Sequence, residues 1–288
     1  MKNNKHLERI IGGIFLLLGL ITVGCVLLIT IYLVVSGLPA IIEIGPVDFL
    51  FGKKWASTAT EAKYGILPFI LTSVYGTLGA IVIGVPIGFM TAVYLSKIAS
   101  PRIKGLMQSA VSLLAGIPSV VYGLVGMLVL VPGIREFFNV PDGASLLASI
   151  IVLAIMILPS IIKMSVTALD AVPKEYEDAS LALGATKIET YFRVSVPAAK
   201  SGIAAAVVLG VGRAIGEAMA VMMVAGNAPN MPDSLFQSVR FLTTAVSSEM
   251  SYSSGLQQQA LFSIALVLYL FIMLINATLN FFLKREKE

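Results

Sequence analysis

"DAVPKEYEDASLALGATKIETYFRVSVPAAKSGI", Asp170–Ile203, is a charged interval between two long apolar runs. Pro173 suits a first helical position, and Glu175, Glu177 and Asp178 fall in the opening turns, where carboxylates complement the helix dipole. Gly184 offers a left-handed stop for that helix. Thr186 and Glu189 have the spacing of a capping box, so a second helix can begin at once and run through Tyr191 and Phe192 toward Pro197. The stretch predicts helix, glycine turn, helix.

The flanking runs set the environment of this loop. Hydrophobic residues make up 57% of the 288, charged residues only 12%, and the mean hydropathy is +0.93. Soluble domains carry about a quarter charged residues, so the composition is that of an integral membrane protein. A helix needs roughly 20 apolar residues to cross the hydrocarbon core. Segments of that length are Ile10–Val35, Ile66–Leu95, Gly105–Val131, Ala144–Ile162, Gly202–Ala225 and Ala260–Leu283. A barrel needs many alternating segments of roughly ten residues, and none of these runs alternates with a period of two, which argues against strands. The expectation is an all-α protein of six transmembrane helices.

Basic residues mark the cytoplasmic side. One set of connections carries Lys2, Lys5 and Arg9, then Lys97, Arg102 and Lys104, then Lys163, Lys174, Lys187, Arg193 and Lys200, then Lys284, Arg285 and Lys287. The other carries only Lys53, Lys54, Lys63, Arg135 and Arg240. Both termini and the 170–200 loop are therefore expected in the cytoplasm. The net charge of +4 reflects this bias and is no nucleic-acid signal. The first apolar run is longer than a signal-peptide core and lacks an A-x-A-like site, so it reads as a retained span. Cys25, the single cysteine, excludes an internal disulfide.

Gly84 and Gly88 flank Pro86 in the second run, and Pro118 interrupts the third. Such residues serve close helix packing or flexing points in a moving pore. Trp55 and Tyr64 are placed like interfacial aromatics, and Asn276 and Asn280 in the last run like interhelical hydrogen-bonding residues.

The chain lacks G-x-x-x-x-G-K-[ST], so any ATP must be handled elsewhere, and it lacks H-E-x-x-H and G-x-S-x-G. Its one histidine, His6, lies in the polar N-terminal tail. No catalytic residue, metal site or cofactor is expected.

Asp178-Ala179-Ser180, three residues, Gly184, nine residues and Val194-Ser195-Val196-Pro197 resemble the E-A-A…G…I-x-L-P signature of ABC importer permeases, with conservative replacements. That resemblance implies a coupling helix seated in a groove of a cytoplasmic ATPase. The residues it marks for coupling are Glu175, Glu177, Asp178, Ala179, Gly184 and Ala185.

The fifth run holds "GVGRAIGEAMAVMMVAGN", Gly210–Asn227. At ~1.5 Å per residue Arg213 falls near mid-membrane with Glu217 one turn beyond. A central arginine costs at least ~2.5–3.5 kcal/mol on insertion scales, so something must offset it. Two readings stand at this point. The residues neutralise each other, although the base precedes the acid, the weaker helical order. Alternatively, Arg213 faces a watery path and meets an anion, with Glu217 limiting its retention.

"RAIGEAMAVMMVAGN" is similar to the corresponding span of the phosphate-specific (Pst) ABC importer, in its C-type permease subunit; Ala218 departs from the common threonine. "YGILPFILTSVYGTL" and "IPSVVYGLVG" fall in the same order. This resemblance implies a type I ABC importer permease fold in a prokaryotic inner membrane. Residues 1–36 would be a tail and first helix, and 64–283 a core with coupling loop 170–200. It further implies an A-type homologous permease, a cytoplasmic ATPase dimer, an external phosphate-binding protein docking on Ser36–Lys63 and Ala228–Gly255, and phosphate as cargo. Another oxyanion as cargo stays open, as does a self-contained channel or secondary transporter; a membrane enzyme or scaffold comes last.

Overall fold

The computed structural model describes residues 4–285, and the side-chain surroundings of residues 8–278. Lys2 and Lys287 lie outside the described residues, and the side chains of Lys5, His6, Asn280, Lys284 and Arg285 outside the described side chains. The chain opens with α1 (Asn4–Ile44), a short α2 (Pro46–Phe51), and an antiparallel pair, β1 (Trp55–Ala56) and β2 (Lys63–Tyr64), in which Trp55 faces Tyr64. α3 (Leu67–Val93) runs into a π turn at Tyr94–Ile98 and is followed by α4 (Pro101–Gly116). α5 (Ser119–Val125) and α6 (Val131–Phe138) are joined through a π turn. After α7 (Leu146–Asp170) come the short α8 (Lys174–Ala182), α9 (Lys187–Thr190) and α10 (Val196–Ala198). The remainder is α11 (Lys200–Gly216), α12 (Met219–Val224), α13 (Leu242–Glu249) and α14 (Gly255–Arg285).

Five helices are long and apolar enough to cross a membrane: Glu8–Ile44, Leu67–Ile98, Ser119–Phe138, Leu146–Asp170 and Gly255–Thr278. The pair Lys187–Ala198 and Lys200–Gly216, bent by 71°, makes a sixth if it is counted as one broken span. Helix is what apolar runs must adopt in lipid, because only there does each segment satisfy its own backbone. The all-α expectation therefore stands, with several changes of boundary, among them a fourth helix that runs eight residues past Ile162 to Asp170. The first helix continues past Val35 to Ile44 and accommodates Pro39. The third run divides at Ile117–Pro118, as Pro118 predicted, but its span-length part is Ser119–Phe138, seven residues beyond Val131. Pro132 does not stop it, because it sits in the first turn of α6, where no N–H is needed. The fifth run is broken at Glu217–Ala218 and is not one helix.

The core is built around α7. Ser145 caps it by accepting from Ala148 N at 3.3 Å, and most of its length is buried. α3 lies along one side through the predicted small pair. A Cβ on Gly84 would come within 2.7 Å of Ile157 Cδ1, and one on Gly88 within 2.9 Å of Ile161 Cγ2. The close-packing reading accounts for these two glycines. α11 packs on α7 beside α3, and Ala214 of α11 and Val221 of α12 join Ile157 and Ile161 in one cluster. α1 presents exposed Ile, Leu and Val along its length and joins the rest through α14, where Ser263 Oγ donates to Gly37 O and Thr30 and Tyr269 hydroxyls meet at 2.9 Å. In water such a surface would be a liability; in lipid it is the ordinary exterior.

Candidate functional site

The break at Glu217 decides what the paired charges do. Gly216 ends α11, Glu217 is extended (φ −73°, ψ 128°), and α12 starts two residues later. The Glu217 carboxylate turns onto the new helix and accepts from Ala220 N at 3.0 Å, satisfying one of the open N–H groups of α12. Its carbonyl accepts from Thr243 Oγ1 at 2.8 Å. Arg213 instead donates from Nη1 to Ser160 Oγ of α7 at 3.2 Å. Ion pairs among the described residues join Lys97 to Glu177, Lys104 to Asp170 and Arg240 to Glu249, and none joins Arg213 to Glu217. The mutual-neutralisation reading is thereby corrected: the acid caps α12, and the base bonds a serine of α7.

Arg213 is half-buried and lines a cavity of about 660 Å³ with Ser160, Met164, Leu209, Gly212 and Asn276. Asn276 makes no hydrogen bond among the described residues, so the expected interhelical bond is absent. A guanidinium, a hydroxyl and an amide on an otherwise apolar wall form a site that can hold an anion. Arg213 also lies within electrostatic reach of Tyr122 in α5.

The loop after α7 follows its local chemistry closely. Gly184 has φ +86°, its N–H donates to Leu181 O at 3.0 Å, and nothing stands where a Cβ would go. Thr186 and Glu189 form the capping box in both directions. Pro173 is the residue before the helix and not its first. Glu175, Asp178, Ala179 and Gly184 are exposed and Ala185 is half-buried. Glu177 turns inward, meets Lys97 Nζ at 2.5 Å and accepts from Ser195 Oγ at 2.7 Å. Lys104 Nζ and Ser96 Oγ hold Asp170 at 2.9 and 2.6 Å, so the loop is braced against the ends of α3 and α4. The tip shows Leu183, 90% exposed, with Ile188 at 64%.

Burial pushes the Glu177 carboxyl up, but hydrogen bonds from Lys97 and Ser195 and the charges of Lys97 and Lys174 outweigh it and hold it below the usual range. A depressed folded pKa stabilises fully above the ordinary value of about 4.3 and is lost as pH falls through the lower folded value. Amide-exchange protection across 174–199, relative to the intrinsic rate at each pH, is therefore expected to stay constant from pH 7 to about 5 and to fall below about 4. Glu177→Gln should show low protection already at pH 7, and a wild-type protection profile without that acid limb would show that the brace does not hold the loop.

At the far end of the fold, Glu249 accepts from Trp55 Nε1 at 3.2 Å, Ser57 Oγ at 3.4 Å and Gln257 Nε2 at 3.1 Å, and pairs with Arg240. Arg240 also donates to Asn227 O at 2.8 Å and lies over the Phe69 ring. Trp55 and Tyr64 are 6% and 9% exposed, packed with Phe69, which corrects their reading as interfacial anchors. A buried indole N–H needs an acceptor, and Glu249 supplies it. The two connections read as docking loops are thus tied together, and α13 links them to the Glu217 break through Thr243.

Sequence reasoning missed Ser160 and Leu183, and it placed Lys97 on the cytoplasmic side without its partner Glu177. Ser160 follows Pro159 within an apolar run, and no pattern announces it as the partner of a residue on another helix. Leu183 could have been found, since it immediately precedes the turn glycine of a polar loop.

The family described as "Binding-protein-dependent transport system inner membrane component" matches residues 84–287. The "Probable ABC transporter permease protein YqgH" of Bacillus subtilis is 40% identical, covering 96% of this chain and 92% of that protein. The "Phosphate transport system permease protein PstC" of Pasteurella multocida is 33% identical over 77% of this chain and 75% of its own length. Among solved structures, an inward-facing MetNI methionine ABC transporter superposes with a TM-score of 0.57 at 19% identity, covering 77% of this chain and 94% of that one. An amino acid ABC transporter gives 0.55 at 21%, covering 76% and 92%. Both share the fold, that of type I ABC importer permeases. With its helices, its braced glycine-turn loop and these relatives together, the chain belongs to the binding-protein-dependent transport system inner membrane component family, the permeases of ABC importers.

Proposed function

We propose that this permease is the C-type subunit of a phosphate importer and carries its cargo past Arg213. The observation that carries the reading is that Arg213 has no carboxylate partner among the described residues and lines an open groove between α7, α11 and α14. A cation left unpaired at such depth marks a substrate or ion path. The likeness to several PstC proteins supports phosphate among the oxyanions.

In this reading residues 64–283 are the working core and residues 1–36 a peripheral element. The basic connections, including the 170–200 loop, face the cytoplasm. Exposed Glu175, Asp178, Ala179 and Leu183 meet an ATPase dimer, while Glu177 positions the loop that carries them. A homologous A-type permease completes the path, and an external phosphate-binding protein docks on the loops gathered by Glu249. Closure of the ATPase would draw the coupling loops together and, through Lys97 and Glu177, shift α3 and α11 so that Arg213 changes sides. Glu217, as a cap, keeps α12 aligned beside the arginine.

The whole complex in proteoliposomes is expected to take up radiolabelled phosphate only with ATP and the binding protein. Uptake of sulfate or molybdate in place of phosphate would reassign the cargo, and flux without ATP would favour a channel.

A further inference from the structure

We propose that Lys163, with Gln108 and Ser112, forms a binding site for the phosphate headgroup of an anionic phospholipid between α4 and α7.

The charge pattern groups Lys163 with the loop residues, yet α7 continues to Asp170 and places it two turns inside the helix. The 25 residues of α7 span ~37 Å at ~1.5 Å each, against a hydrocarbon core of about 30 Å. The excess is roughly five residues, and Lys163 stands seven before the end. Its backbone is therefore within the apolar layer even with the whole excess projecting at this end. Ion pairs among the described residues take Lys97, Lys104 and Arg240, while the Lys163 ammonium has no hydrogen bond or ion pair among them. An unpaired charge at such a depth calls for a partner.

α4 runs beside α7, and Lys104 of α4 pairs with Asp170 at 2.9 Å, fixing the register of the two helices. Gln108 and Ser112 follow Lys104 at i+4 and i+8 on one face of α4. With Lys163 and Thr167 of α7 they form the exposed rim of a cavity of about 300 Å³, over a buried apolar floor that includes Val111 and Val166. The Thr167 hydroxyl spends its proton on Lys163 O at 3.0 Å. The side chains of Gln108 and Ser112 make no hydrogen bond among the described residues, so both keep donors for an anion beside the ammonium.

The occupant follows from the depth. A phospholipid arrives with its chains already in the apolar layer, and a lysine stem rises toward the headgroups, so phosphate and ammonium meet without either leaving the membrane. A free anion would have to shed its water to reach the same place. The cavity shares no lining residue with the Arg213 groove, so cargo held at Arg213 is not its occupant.

The test is native mass spectrometry of the whole complex from mixed micelles of phosphatidylglycerol and phosphatidylcholine, counting retained lipids. The wild type is expected to retain phosphatidylglycerol preferentially, and Lys163→Gln about fivefold less of it, since one lysine beside an anionic headgroup contributes about 1 kcal/mol. Lys163→Arg keeps the cation and should keep the lipid. Lys187→Gln removes an exposed lysine outside the cavity and should change nothing. Equal retention in Lys163→Gln and wild type overturns the proposal. So does a loss in Lys163→Arg, or an equal loss in Lys187→Gln, which would show diffuse attraction of charge. Lipid-free complex carrying Arg213→Gln, dialysed against radiolabelled inorganic phosphate, tests the other source: phosphate binding that disappears with Lys163→Gln, while phosphatidylglycerol retention does not, would assign the site to the free ion and overturn the lipid.

Discussion

Replacing Arg213 by glutamine is expected to lower phosphate uptake by the reconstituted complex roughly thirtyfold to several-thousandfold. Removing one member of a desolvated, hydrogen-bonded charge pair costs about 2–5 kcal/mol, and each 1.4 kcal/mol is about tenfold. The glutamine still reaches toward Ser160 and leaves the helix unperturbed, so the complex should assemble and keep its basal ATP hydrolysis. Arg213→Lys keeps the charge but loses the planar fork, and should fall between the two. Glu217 separates two roles. Glu217→Gln retains an oxygen to accept from Ala220 N, so a pure cap predicts near-normal uptake. If the carboxylate also weakens the hold of Arg213 on its anion, the same variant binds phosphate more tightly and turns over more slowly. Wild-type uptake in Arg213→Gln would remove Arg213 from the path.

Gly184→Pro is expected to strip the ATPase subunit from the purified complex and to abolish uptake. Gly184 holds φ +86°, and proline would force about −65° and delete the N–H that bonds Leu181 O. The loop tip would then point elsewhere. Gly184→Ala meets no neighbouring atom and suffers only the left-handed penalty, about 1–2 kcal/mol, so it should weaken ATPase retention without eliminating it. Leu183→Asp tests the contact without the turn. Burying a leucine stabilises by about 1.5–3 kcal/mol, so its loss should reduce ATPase affinity about tenfold or more while the loop's amide-exchange pattern stays unchanged. An ATPase that copurifies equally with Gly184→Pro would show that this loop is not its seat.

Much of this was legible in one dimension because its causes are local. Gly184 supplies a left-handed turn, Thr186 and Glu189 are three residues apart, and Pro118 breaks its helix, whatever surrounds them. Apolar length alone located the five long helices, since lipid leaves the backbone no alternative to helix. Boundaries were less secure where proline sat in a first turn, as at Pro132, or where a polar residue interrupted an apolar run, as at Glu217.

What the chain could not announce was pairing across distance. Arg213 and Glu217 invite each other at helical spacing, yet Glu217 spends its oxygen on Ala220 N and Arg213 finds Ser160, 53 residues away. Trp55 has the look of a membrane anchor until Glu249, 194 residues on, is found beneath its indole N–H. The amino-acid order by itself determined the helices, the loop turn and the membrane setting, because short-range sterics and hydrophobic length are written residue by residue. Which charge caps a helix and which bonds a serine on another span was decided only by the packing of α7, α11 and α12, because hydrogen bonds form between groups that tertiary structure brings within about 3 Å.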